Sequence, residues 1–414
     1  MGNNQNIQTL KGFRDYLPGE KRKRDFIAQK IVEVFKNYGF VPLETPALEY
    51  ASLLLGKYGE EADKLVYRFE DRGGREVALR YDQTVPTARV LAQYQYELPK
   101  YFRRYQIQSV YRADKPQKGR FREFTQCDID IFGSTSPLAD AEILACTYAT
   151  FKSIGFSQVV LKMNDRQVLF ATLKPYISDR VSLTSITQTL DKLGKNSKES
   201  VLDELVTKGL DREVASKILE DVKQVQISQN LQEIISKAVA LGVPEESLRF
   251  TPELARGLDY YTGMIFEVII PEYGSGSLGG GGRYDNLIKQ LSGVDVSAVG
   301  VGLGFDRIVE AADEMGLIDV VKSGAKVLVT LFNQECEKPA LNVARKLREA
   351  GIGTEVYPAF DKLGQQFKLA NQKNIPFVIV IGEEEVNQGK IALKNMENGA
   401  QEMMDIETAV NRLK

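Results

Sequence analysis

Two long strand signals, at residues 102–113 and 120–132, are separated only by the polar loop Asp114-Lys115-Pro116-Gln117-Lys118-Gly119. So short a connection joins antiparallel neighbours, because parallel strands need a crossover of a dozen or more residues. The chain must therefore build an antiparallel sheet around this pair. Successive side chains of a strand face opposite ways, so the second strand divides by parity. Its odd positions hold Phe121, Cys127, Ile129 and Ile131, with Glu123 and Thr125 between them. Its even positions hold Arg120, Arg122, Phe124, Gln126, Asp128, Asp130 and Phe132. A solvated outer face would read the same way, yet Gln106, Gln108 and Arg112 share a parity on the preceding strand and bring Arg112 beside it. Guanidinium, amide, aromatic and carboxylate groups on one surface suit a charged nucleotide and a small polar ligand.

At 414 residues, 43% of them hydrophobic, the chain is too long for one ordinary domain. A helical stripe of Ile27, Ile31, Val34, Phe35 and Tyr38 spans 21–38 and stops at Gly39. The stretch 40–43 is extended, 66–69 and 77–80 form a hairpin around Asp71-Arg72-Gly73-Gly74, and a helix follows around 84–96. Lys/Glu/Ser-rich helical segments from about 170 to 245 make a helical insertion. Strand signals return at 264–270, then come a glycine-rich turn, a strand at 298–301 and a helix at 305–314. Beyond Lys322, strands alternate with helices, the first of which turns Ala340, Leu341, Ala344 and Leu347 inward. That alternation predicts a small, mostly parallel α/β domain. The expected division is a core over 1–322 and a terminal domain over 323–414.

Composition removes several chemistries. There are no histidines, which excludes the commonest general base, the commonest metal ligand and every Ser-His or Cys-His nucleophile. The absence also has a compositional reading, since tryptophan is missing too. Cys127, Cys146 and Cys336 are too scattered for a disulfide framework or a CxxC metal site and read as reduced, buried thiols. A net charge of −2 gives nucleic acid no general attraction. No apolar run of about 18 residues occurs and the start lacks a secretory signal, so a cytoplasmic protein without a membrane span is expected. The basic run Lys21-Arg22-Lys23-Arg24 reads as a solvated helix start.

Six segments carry a resemblance. Tyr111-Arg112-Ala113-Asp114, a loop, and Arg120-x-x-x-Phe124 resemble the second signature motif of class II aminoacyl-tRNA synthetases. Gly39-Phe40-x-x-Leu43-x-x-Pro46-Ala47-Leu48 resembles the first, which implies a homodimer. Gly300-Val301-Gly302-Leu303-Gly304-Phe305-Asp306-Arg307-Ile308 resembles the third, with Asp306 where glutamate is more usual. Ala255-Arg256-Gly257-Leu258-Asp259-Tyr260-Tyr261-Thr262-Gly263, Leu79-Arg80-Tyr81-Asp82-Gln83-Thr84-Val85-Pro86 and Gly281-Gly282-Arg283-Tyr284-Asp285 further resemble the histidyl-tRNA synthetase family.

The resemblance implies an α+β protein: a class II antiparallel-sheet catalytic core with a helical insertion, plus a C-terminal α/β anticodon-binding domain. It implies that ATP, with Mg²⁺, activates L-histidine to histidyl-adenylate, and that the histidyl group passes to the 3′ end of tRNA(His). Asp82, Gln83, Thr84 and Gln126 are placed at the amino acid, Asp130 and Tyr261 at its ring, and Tyr260 and Tyr284 as further lining. An imidazole needs a carboxylate or phenol for each ring nitrogen. Arg112 and Arg256 are the catalytic candidates at the α-phosphate and also touch histidine. Forked guanidiniums suit phosphate oxygens. Arg120 and Arg307 are assigned to the outer phosphates and the adenine face, Phe124 to stacking, Asp114 to the adenine amino group and Glu123 to Mg²⁺. No metal is expected in the protein alone. Lys115 and Gln117 would meet the tRNA acceptor end. The rival reading is a non-catalytic, histidine-binding regulatory paralogue that controls ATP phosphoribosyltransferase; such proteins lack the arginine matching Arg256.

Overall fold

In the computed structural model of the chain, the described residues are 7–55, 65–115, 121–193, 196–256, 260–274, 276–319 and 323–414. The chain divides into two compact units, one ending at Ile318 and one beginning at Asp319. No described helix is long and apolar enough to cross a membrane.

Among its described residues the first unit holds eleven strands: β1 (Val41–Pro42), β2 (Leu48–Tyr50), β3 (Arg68–Glu70), β4 (Glu76–Leu79), β5 (Phe102–Tyr111), β6 (Glu123–Phe132), β7 (Val160–Asp165), β8 (Leu248–Phe250), β9 (Met264–Ile269), β10 (Ser277–Arg283) and β11 (Ala298–Gly304). Eight of them form one sheet in the order β1-β5-β6-β11-β10-β9-β7-β8, while β2, β4 and β3 form a small second sheet. All pairings in the large sheet are antiparallel except β1 with β5 and β7 with β8 at its two edges. The expected hairpin is present as β3–β4. Its turn is closed by Asp71, whose Oδ1 accepts from the backbone N–H of Gly73 at 2.8 Å and of Arg75 at 3.0 Å.

Helices cover one face of the sheet. The helix α1 (Pro18–Asn37) opens on a proline, whose missing donor costs nothing in the first turn. It buries the expected stripe of Ile27, Ile31, Val34 and Phe35. These pack with Cys127, Ile129 and Ile131 from the odd face of β6, and with the helix Pro137–Ile154, in the main core. The even face of β6 therefore turns away from this core, toward a second cluster that includes Tyr81, Tyr261 and Tyr284. The helix expected at 84–96 ends at Gln93. The helices from Arg166–Leu173 to Arg212–Lys223 share a core of their own with Leu169, Ile186, Leu205 and Ile218, while the last helix of the expected insertion, Gln229–Ala240, buries Leu231, Ile234 and Ala238 in the main core.

One expectation fails instructively. The segment expected as a glycine-rich turn is the strand β10, paired on both sides. A Cβ on Gly281 would collide with the Gly300 carbonyl of β11. The glycines are there for close approach of strands, not for a turn.

In the second unit the strand order is Thr354–Val356, Val327–Val329, Phe377–Val380, Ile391–Asn395, Gln401–Met404. The first two pairings are parallel and the last two antiparallel, so the sheet is mixed and not mostly parallel. The final hairpin bears no helix between its strands, and the alternation rule cannot see it. Leu341 is 48% exposed, against the expectation that it faces inward. The helix Gln334–Glu349 instead buries Cys336, Ala340, Val343, Ala344 and Leu347, one stripe at helical spacing that excludes position 341.

Candidate active site

Three even positions of β6 define a floor. Gln126 stands between Gln108 and Gly304, Asp128 between Gln106 and Gly302, and Asp130 between Arg104 and Gly300. The rows continue across the sheet. Gly302 pairs with Gly280 and Gly280 with Glu267, while Gly300 pairs with Gly282. Cross-strand partners share a face, so glycines pave the middle of the floor and carboxylates flank them. A Cβ at Gly300 would collide with the Asp130 carboxylate and one at Gly280 with the Arg256 guanidinium. At Gly302 it would lie 3.2 Å from Asp128 Oδ1. Bare backbone thus opens a trough over which charged heads lean from both sides.

Asp130 is 5% exposed and forms an ion pair with Arg104, whose Nη2 is 2.6 Å from Asp130 Oδ2. The hydroxyl of Tyr284 donates to its other oxygen, Oδ1. Burial pushes the Asp130 carboxyl up, against the pull of Arg104 and of the Tyr284 hydrogen bond. Tyr260 completes an aromatic wall, its ring centroid 4.6 Å from that of Tyr261 and 5.8 Å from that of Tyr284. Burial also drives the Tyr260 and Tyr284 hydroxyls well above their ordinary range, so both remain protonated.

The oxygens of this wall and floor are unusually short of partners. Gln83 Oε1, Gln126 Oε1, Asp128 Oδ1 and Asp130 Oδ2 are sealed from solvent yet accept no aligned hydrogen bond. No other side-chain amide or carboxylate oxygen among the described residues is in that condition. Buried polar atoms nearly always have partners, so this concentration marks a place for a ligand rich in N–H donors.

Arg256 lies over the trough with its Nη1 3.1 Å from Glu267 Oε1. Its backbone has φ +45°, a left-handed conformation that costs a non-glycine residue on the order of 1–3 kcal/mol. The end of β7 and the residue after it hold this geometry. Asn164 Nδ2 donates to the carbonyls of Pro252 and Leu254 at 2.8 and 2.9 Å, and Arg166 Nη1 to that of Arg256 at 3.3 Å.

Toward the start of β6 a cavity of about 940 Å³ is lined by Arg112, Asp114, Phe124 and Arg307, four of the residues assigned to ATP. Arg112 Nε donates to the Tyr81 carbonyl at 3.0 Å, and its guanidinium carbon lies 5.0 Å from the Phe124 ring centroid. Arg307 Nη1 donates to the Ser277 carbonyl at 2.5 Å. Glu123 pairs with Tyr111 across the hairpin. Asp306 binds two arginines: Arg14 Nη2 at 2.9 Å and Arg24 Nη1 at 2.5 Å. Arg24 is therefore only 9% exposed, which corrects the expectation that its basic run is solvated.

Asp82 Oδ1 accepts from the backbone N–H of Val85 at 3.1 Å at the start of the helix Thr84–Gln93. Gln83 Nε2 donates to the carbonyls of Gln108 and Gln126, both at 3.1 Å, tying that helix to β5 and β6. Lys115 is exposed; Gln117, Arg120 and residues 257–259 lie outside the described residues. Arg104, Asp128 and Glu267 belong to the site and were not singled out from the sequence. Parity groups Arg104 with Gln106 and Gln108, but only the register shows that it meets Asp130.

An antiparallel sheet with this trough, an arginine-lined cavity and the three motifs in order defines the catalytic core of a class II aminoacyl-tRNA synthetase. The profile of the family described as histidyl-tRNA synthetase matches residues 12–308, and that of an anticodon binding domain matches residues 326–414. The chain belongs to the histidyl-tRNA synthetase family. It is 38% identical to the histidine–tRNA ligase of Christiangramia forsetii, with 98% of each chain covered. With the histidine–tRNA ligase of Wolinella succinogenes it shares 39% identity, again over 98% of both. The crystal structure of histidyl-tRNA synthetase from Nostoc sp. superposes with a TM-score of 0.84 at 29% identity, covering 98% of this chain and 99% of that one.

Proposed function

We infer that this chain is a histidine–tRNA ligase, which activates L-histidine with ATP to histidyl-adenylate and transfers the histidyl group to the 3′ end of tRNA(His). The observation that carries the choice of amino acid is the pair of buried acceptors without hydrogen bonds at Gln126 and Asp128, beside the Asp130 carboxylate that Arg104 and Tyr284 hold. Histidine brings an α-ammonium and a ring N–H, donors that match them. The Asp130–Tyr284 pair and Tyr261 stand at the imidazole. A ligand of similar size without those donors would leave buried oxygens unpaired and be rejected.

In the first step the histidine carboxylate attacks the α-phosphorus of ATP and pyrophosphate leaves. The nucleophile is already ionised, so no protein base is needed, consistent with a chain that has no histidine. The protein supplies position and positive charge at the developing pentavalent phosphate. Arg256, held over the trough, and Arg112 carry that role. Phe124 stacks the adenine, Asp114 reads its amino group, and Arg307 with Arg120 holds the outer phosphates. Glu123 would be the protein carboxylate for a Mg²⁺ ion brought in with the triphosphate, where the ion would offset phosphate charge; one or two carboxylates suffice when phosphates supply the other ligands. In the second step the terminal ribose hydroxyl attacks the activated carbonyl, the acyl–phosphate bond breaks and AMP leaves with the hydroxyl proton on a phosphate oxygen; Lys115 and Gln117 stand at the acceptor end and residues 326–414 at the anticodon.

We further propose a homodimer through the first motif. Val41 and Leu48 there are 48% and 45% exposed, and β1 is an open sheet edge. A cytoplasmic site of action agrees with Cys127, Cys146 and Cys336 being free and buried.

The second reading is the regulatory paralogue. A crystal structure described as an ATP phosphoribosyltransferase regulatory subunit/histidyl-tRNA synthetase from Bacillus halodurans has the same fold, with a TM-score of 0.74 at 22% identity. Arg256 and the matched anticodon-binding domain favour the ligase. ATP–pyrophosphate exchange with each of the twenty amino acids decides between them. Exchange with histidine alone, lost in Arg256→Ala, is the expected result; histidine binding without exchange would establish the regulator.

A further inference from the structure

Within the amino-acid pocket just inferred, Asp128 has no assigned task. It is 6% exposed, lies on the same face of β6 as Gln126 and Asp130, and leans over Gly302 in the trough. The hydrogen bonds of its neighbours go elsewhere. Arg104 pairs with Asp130 and reaches Gln106 Oε1 at 3.3 Å. Gln106 Nε2 is spent on Thr45 Oγ1 at 2.9 Å and Gln108 Oε1 at 2.5 Å. Neither Asp128 oxygen takes a hydrogen bond among the described residues; Oδ1 is sealed from solvent, and Oδ2 is not. A carboxylate placed this way is costly to keep unless a cation arrives.

The floor shows which cation. The head of Arg256 lies over Gly280 and that of Asp128 over Gly302, and these two glycines are directly paired. A positive and a negative group over adjacent residues of one trough match the two ends of an α-amino acid, whose carboxylate and ammonium share a single carbon. We propose that Asp128 receives the α-ammonium of the substrate, acting with Gln126 and Asp82 to fix which end of the amino acid faces Arg256. It is a positioning and specificity residue. It holds the carboxylate in line for attack by gripping the group next to it.

Asp128 also has a signature that a purely structural side chain would lack. Burial pushes its carboxyl up to about 7, with Asp130 and Asp82 adding to the rise and Arg104 and Arg112 opposing it. Near pH 7 the empty pocket thus holds a partly protonated Asp128, and an arriving ammonium expels the proton.

The test is titration calorimetry of the full chain without ATP, at pH 7 in buffers of different ionisation enthalpy. The probes are L-histidine and 3-(imidazol-4-yl)propanoate, which keeps the ring and carboxylate but lacks the ammonium. With every count corrected for the free ligand's own ring protonation at pH 7, which is greater in the propanoate because no ammonium lowers its ring pKa, L-histidine should bind with release of a fraction of a proton beyond that seen with the propanoate. Asp128→Asn should abolish the excess and weaken L-histidine by about ten- to a hundredfold, the worth of a charge-assisted hydrogen bond, while changing propanoate binding little. Unchanged affinity and proton count in the variant would overturn the inference. If the variant does not fold, the unaltered protein still decides: equal proton release with the two ligands overturns the inference, and an excess with L-histidine supports it. No binding of L-histidine by the unaltered protein would overturn the histidine pocket itself, and this inference with it.

Discussion

Arg104 Nη2 lies 2.6 Å from Asp130 Oδ2 in an ion pair whose side chains are 1% and 7% exposed. The pair sits under the wall assigned to the imidazole, so one contact serves both folding and recognition. Breaking a buried pair from one side leaves an unpaired charge and costs about 3–5 kcal/mol, whereas replacing both members by apolar groups is often nearly neutral. Arg104→Met should therefore lower stability to urea by that amount. Arg104→Met with Asp130→Leu should recover most of it and still bind no histidine. Equal stability of the single and double variants would refute the coupling.

The glycines of β10 and β11 make a graded prediction. A side chain at Gly300 meets a buried carboxylate and the backbone of Ile129, while one at Gly302 meets only the Asp128 head at 3.2 Å. Gly300→Ala should destabilise the core by about 1–3 kcal/mol, the usual cost of overpacking. Gly302→Ala should fold nearly normally but raise KM for histidine more than KM for ATP. Thermal melts and pyrophosphate exchange on the two proteins separate these effects.

Arg256 is held by Glu267 on its guanidinium and by Arg166 on its carbonyl. Arg256→Ala should reduce kcat of exchange by about 10²–10³, the loss typical of one preorganised charge donor. Glu267→Gln, which only frees the guanidinium, should cost about tenfold or less. A Glu267 effect equal to that of Arg256 would show that the carboxylate itself touches substrate.

Asp128 gives a pH dependence whose sign can be worked out. Its folded pKa, about 7, is above its ordinary value of 3.8, so between those values the folded state holds more protons than the unfolded state, and stability falls as pH rises through that window. Asp128→Asn removes the decline. Without ligand, the variant should melt about 2–4 °C higher than the unaltered protein at pH 8, as a gain of about 1 kcal/mol does in a large domain, with no advantage at pH 4.5. Scanning calorimetry at the two pH values is the check; a constant difference would assign the effect to packing.

What the sequence determined by itself is local and periodic. The loop between β5 and β6 forces an antiparallel pair, parity sorts Cys127, Ile129 and Ile131 from Gln126, Asp128 and Asp130, and the stripe from Ile27 to Phe35 names the buried face of α1. Three ordered motifs point to the synthetase class, and the segments at 79–86, 255–263 and 281–285 to the family within it. Register and crossing of distant segments were decided only by the tertiary structure. The pairing of β11 with both β6 and β10, and of β10 with β9, turns a glycine-rich stretch into a strand and brings Glu267 and Asp128 to opposite sides of one trough, while the β5–β6 register seats Arg104 beside Asp130. Strand pairing and the approach of backbones depend on residues far apart in the chain, and a glycine's meaning depends on what would occupy the space of its missing side chain.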